Sequence, residues 1–114
     1  MSVWKWKDVE LEVDMEDVEF QEKYETAFKR LEVTEKELQN IGKLSEITRK
    51  YCEMFWDLFD DIFGKGTAHK LFAGRKHSGL CEECYESFIS FCADQVKEIN
   101  RKRVNRSRKY RVKK

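Results

Sequence analysis

A chain of 114 residues, 40% apolar and 39% charged, has enough material for one modest core and not for two. Eight Phe, four Tyr and three Trp exclude a disordered polar chain, and no apolar run approaches the length of a transmembrane helix. The formal net charge of +1 hides a division: nine of the 23 basic residues lie between Arg101 and Lys114, leaving 14 basic against 22 acidic before them.

The expected fold is mostly α, a short N-terminal β-hairpin followed by about three amphipathic helices and a basic C-terminal tail. Trp4 and Trp6, then Val9, Leu11 and Val13, alternate with charged residues, the period of strands with one buried face. Lys7-Asp8 is the turn between them, although no Asn-Gly or Asp-Gly fixes it. Asp14 or Asp17 can cap a first helix, whose apolar face is Phe20, Tyr24, Ala27, Phe28, Leu31 and Leu38. Asn40-Ile41-Gly42 should end it.

Ser45 can cap the second helix. Its stripe, from Ile47 and Tyr51 through Met54, Phe55, Leu58, Phe59, Ile62 and Phe63, is the most apolar of the chain and predicts the centre of the core. Gly64 closes it, and Thr67 starts a short turn through Phe72. Gly74 and Gly79 bracket a basic loop. A third helix from about Leu80 turns Cys84, Tyr85, Phe88, Ile89, Cys92, Val96 and Ile99 inward. The proline count is zero, so nothing stops this helix at residue 100. Residues 1–100 thus read as a single helical domain with its hairpin, and 101–114 as a basic tail, a helical extension or disordered, with fraying expected past Asn105.

No catalytic constellation emerges, and the chain is not expected to be an enzyme. Asp57 and Asp61, four apart, share a helix face and could hold a divalent cation, but a solvated face is the simpler reading. His69 and His77 have no triad partner, and Gly64-Lys65-Gly66-Thr67 lacks the strand and spacing of a phosphate loop. Cys81 and Cys84 have zinc-like spacing without a second closely spaced pair, so they are weak metal candidates, and small apolar residues on a helix face is the better reading. Neither a metal nor another cofactor is expected. The opening Met1-Ser2-Val3-Trp4-Lys5 is unlike a signal peptide, so reduced cysteines in a cytoplasm are expected.

The tail residues Arg101, Lys102, Arg103, Arg106, Arg108, Lys109 and Arg111 could neutralise phosphates, dock on an acidic protein surface such as another copy of the chain, or only add solubility. The tail has no apolar face to go with its charge, so no membrane partner is expected.

Residues 59–74, Phe-Asp-Asp-Ile-Phe-Gly-Lys-Gly-Thr-Ala-His-Lys-Leu-Phe-Ala-Gly, resemble a family of short proteins encoded in tail-morphogenesis modules of phages and prophages of Gram-positive bacteria. The family pattern there is approximately Phe-Asp-Asp-Leu-Phe-Gly-Glu-Gly-Thr-x-x-Lys-Ile-Phe-Gly, followed by Cys-x-x-Ala-Phe-x-x-Phe, which Cys84 to Phe91 matches closely, with Ser87 in place of the alanine. Lys65 replaces the usual acid, and Gly74 stands one place after the family's glycine. Neither Cys81 nor the Trp4-Lys5-Trp6 opening belongs to the pattern. The resemblance implies a tail-assembly protein of the bacterial host cytoplasm, a chaperone or adaptor binding the tape-measure protein or another tail structural protein. Such a role needs an apolar groove, and Met54, Phe55, Trp56, Phe59, Phe63, Phe72 and Phe91 exceed what one helix face can bury. The alternative function is a small nucleic-acid-binding regulator that dimerises through its body and contacts phosphate through its tail.

Overall fold

The computed structural model describes residues 2–39 and 42–112. Alternation at the N-terminus gives two antiparallel strands, β1 (Ser2–Trp6) and β2 (Val9–Val13), in the register Trp4↔Leu11 and Trp6↔Val9. Lys7, first of the two turn residues, takes φ +54°, a conformation that suits glycine better than lysine. A two-stranded ribbon is barely stable in water by itself, and this one is held by what it buries. Trp4 and Val13 are 2% and 0% exposed, and the Trp4 indole N–H donates to Ser87 Oγ at 3.1 Å.

Four helices follow: α1 (Val18–Glu37), α2 (Leu44–Phe63), α3 (Thr67–Leu71) and α4 (Ser78–Val112). Asp17 caps α1, its carboxylate accepting from Glu19 N at 3.0 Å, as one of the two expected caps. The helix ends earlier than expected, with Leu38 already extended, while Asn40 and Ile41 lie outside the described residues. At α2 the capping expectation is corrected. The helix begins at Leu44, Lys43 holds the cap position without a side-chain bond, and Ser45 lies inside the first turn.

The link from β2 to α1 is fixed by two glutamines. Gln95 of α4 donates to Val13 O at 3.0 Å and accepts from Met15 N at 2.6 Å, and Gln21 donates to Met15 O at 2.8 Å. With these bonds made, the half-buried turn leaves few backbone groups unpaired.

The core is an aromatic stack. Trp4 lies over Phe59 at 5.7 Å between centroids and against Phe88 at 5.2 Å. Phe88, fully buried, also meets Phe59, Phe63 and Tyr24. Offset and edge-on ring pairs of this kind contribute about 0.5–1.5 kcal/mol each beyond the area they bury.

α4 differs from its expectation in two ways. It runs to Val112 instead of fraying past Asn105, because Lys and Arg are good helix formers and cations suit a helix's negative end. Val96, expected inward, is 37% exposed, and Ile99 is the last buried residue of α4 whose side chain is described. Beyond it the helix leaves the body, so the described chain measures 67 Å in length against 31 and 21 Å across.

Candidate binding surfaces

The motif at residues 59–74 does structural work. Phe59 and Ile62 fill the core. Asp60 Oδ1 accepts from Ala68 N at 2.9 Å, which serves the start of α3. Gly64 and Gly66 take φ +110° and +94°, closing α2 and opening α3, so this glycine pair is helix punctuation. Ala73 takes φ +50°, a left-handed conformation at the position where the family pattern places glycine.

The carboxylates of α2 meet a partner that the sequence reading missed. Arg30 of α1 binds Asp61 through both oxygens at 2.9 Å and Asp57 at 3.3 Å. The guanidinium fork bridges two carboxylates on a face that is solvated as expected, the Asp57 and Asp61 side chains being 51% and 31% exposed. Burial raises the Asp57 pKa, and Arg30 offsets part of that rise. Spacing shows only that Asp57 and Asp61 share a face, and nothing local marks Arg30 as their partner.

The four cysteines are buried and reduced. Burial pushes the Cys81 thiol up to about 12, with the nearby Cys52 as the next cause. Cys92 also reaches about 12 through burial, and Cys84 is raised by burial and by the charge of Cys81. Thiols held protonated in this way are poor nucleophiles. Among the described residues no group of three or more His, Cys, Asp or Glu side chains is placed to hold a metal ion. His77 accepts from Leu80 N at 3.2 Å and caps α4, while His69 sits edge-on to Trp56 with ring centroids 6.1 Å apart.

The seven aromatic and methionine candidates do not assemble into an open groove. Met54, Phe55, Phe59 and Phe72 are 4% exposed or less, and Trp56, Phe63 and Phe91 are half-buried against the same core. The surplus over one helix face is absorbed because the hairpin covers part of α2 and α3 covers another. Phe72 thus meets Phe59 edge-on at 5.9 Å and stacks on Trp56 at 5.9 Å. Lys76 lies 4.5 Å over the Trp56 ring, and the Trp56 indole N–H is the one buried side-chain polar atom without a hydrogen-bond partner among the described residues.

Three surface features remain. The first is the arm, residues 100–112 of α4, on which Arg101, Lys102, Arg103, Arg106, Arg108 and Lys109 are all exposed. The Arg111 side chain, together with Lys113 and Lys114, lies outside the described residues. Near its root, Arg101 pairs with Glu98, one turn earlier, at 2.5 Å. The second is a notch of about 250 Å³ where α4 leaves the body, lined by Met15, Gln21, Tyr24 and Glu25 on one side and Val96, Ile99, Asn100 and Arg103 on the other. A hollow of about 190 Å³ between the hairpin turn and α3 brings Lys7, Lys70 and Arg75 around Leu71 and Phe72.

No helix among the described residues is long and apolar enough to cross a membrane. Over residues 7–114 the chain matches the family described as a family of unknown function (DUF6673), and it belongs to that family. The matched stretch leaves out β1. No curated protein and no solved structure matches the chain.

Proposed function

We propose that this family member is a non-catalytic phage tail-assembly protein, a chaperone or adaptor that binds the tape-measure protein or another structural protein of the tail. The motif of residues 59–74 suggests the setting. The observation that carries the binding role is the arm, a continuous helical rod of cations that extends from a closed, acidic body. With the aromatic side chains committed to the core, recognition falls to charge and to the shallow notch. An acidic, amphipathic segment of a long helical tail protein has the complementary chemistry.

Co-purification of the full chain with its tape-measure neighbour, repeated with a chain ending at Asn100, tests this reading. Capture by the full chain and loss on truncation place recognition in the arm, and capture by both versions moves it to the body. Capture by neither ends the tail-assembly reading. The cations also favour phosphate, so a salt-sensitive mobility shift with duplex DNA that disappears on truncation would support the nucleic-acid alternative instead.

A further inference from the structure

The geometry points to a reciprocal dimer, in which the arm of each copy lies in the notch between α1 and α4 of the other. The inference does not rest on the tail-assembly reading.

Three observations meet here. The arm carries an apolar anchor: Val104 is 51% exposed, and Val96, eight residues earlier, is 37% exposed. With Asn100 between them they fall on one face at four-residue steps, the spacing by which a helix seats in a groove. The notch offers what such a helix needs, an apolar floor of Met15, Tyr24 and Ile99.

Charge selects the occupant. From Asp14 to Glu25 there are six acidic residues and one basic, whereas the arm holds seven basic residues and none acidic. Two arms paired along their whole length would set cations against cations, so that pairing is disfavoured, whereas an antiparallel crossing brings only the arm roots near each other. Arm against the acidic start of α1 is attractive, and a second copy supplies that surface.

The arm cannot satisfy the charge on its own body, because it continues α4 without a break and runs away from α1. The notch itself contains Val96, Ile99, Asn100 and Arg103 of α4. A partner α4 crossing antiparallel near Asn100 therefore sets Val104 of each copy against Val96 of the other. It also carries the cations beyond Val104 along the exposed Glu22 and Glu25. Each contact then occurs twice, as a two-fold interface requires.

The test is sedimentation velocity on the full chain across a wide concentration range at low and high salt. The expected result is a monomer–dimer equilibrium that weakens as salt rises. Val104→Asp, at a site exposed in the monomer, should leave the circular-dichroism spectrum unchanged and weaken the dimer about tenfold or more. Reversing the notch (Glu22→Lys with Glu25→Lys) or the arm (Arg106→Glu with Arg108→Glu) should each abolish homodimers. Mixing the two reversed chains should restore a heterodimer, since both of its arms then face opposite charge, and mere misfolding could not produce that rescue. A chain that stays monomeric throughout, a dimer indifferent to Val104→Asp, or reversed chains that fail to pair on mixing would each overturn the proposal. Failure to capture a tail protein would leave it standing.

Discussion

Replacing Trp4 by alanine should release the hairpin from the helical body and remove a large share of the protein's stability. Trp4 is 2% exposed, stacks on Phe59 and Phe63, lies against Phe88 and bonds to Ser87. Truncation of a buried aromatic to alanine costs about 3–5 kcal/mol. Single domains of this size have about 5–15 kcal/mol in all, and a freed hairpin has little to hold it together. Trp4→Phe retains a ring in the stack and loses chiefly the indole N–H bond and some volume, so it should cost less, about 1–3 kcal/mol. Urea unfolding followed by circular dichroism measures both losses without relying on the fluorophore being altered. Amide exchange across residues 2–13 reports whether the strands open before the helices. A loss under about 1 kcal/mol for Trp4→Ala would refute the claim that this side chain anchors the hairpin to the core.

Further outcomes follow from the motif and the backbone. Asp60→Ala should cost about 0.5–2 kcal/mol by uncapping α3. Gly64→Ala should cost about 1–3 kcal/mol from backbone conformation alone, since its new methyl group would meet no atom within 4 Å; urea midpoints check both. Lys7→Gly and Ala73→Gly should each raise stability by about 0.5–1 kcal/mol, because both residues sit at positive φ, and a fall in melting temperature would refute this. The buried thiols predict alkaline sensitivity. An unfolded thiol titrates near about 8.5, while burial holds Cys81 and Cys92 near about 12. The native chain then keeps protons that the unfolded chain releases, so stability is full below about pH 8.5 and falls as pH rises towards about 12. Urea midpoints at neutral and alkaline pH test the sign, and a thiol reagent should label the cysteines only as the chain unfolds.

The period-two run of Trp4 to Val13 and the stripe of α2 were legible because each pattern spans several residues and is set by burial alone. The glycine breaks at Gly64 and Gly66 were legible for a similar reason, since each is a single residue with a strong backbone consequence. What escaped the sequence depends on partners distant along the chain. Arg30 reaches Asp61 across 31 residues, and Gln95 reaches Val13 across 82. No local pattern marks either one. Ser45 shows the limit of propensity, since a good capping residue two places late leaves the cap to Lys43. The aromatic surplus misled for a geometric reason. Counting positions on one helix face ignores the second and third surfaces that the hairpin and α3 bring against α2.

The continuity of α4 gives the charge division its consequence. A disordered tail of nine cations beside a body of net charge −8, from 14 basic and 22 acidic residues, would fold back and neutralise the body within one molecule. The charges would then carry no information about partners. A helix of 35 residues, about 52 Å long at its usual rise, cannot make that return without breaking, and this one has no proline or glycine after Gly79 at which to break. The helix therefore keeps opposite charges apart within a molecule and offers them between molecules. If the arm binds as proposed, a helix break at its root should therefore be more damaging than the loss of any one cation. Asn100→Pro, which would let the arm swing back onto its own body, should weaken association with any acidic partner more than Arg106→Ala does. Equal effects of the two variants would show that the arm's charge acts without its rigidity.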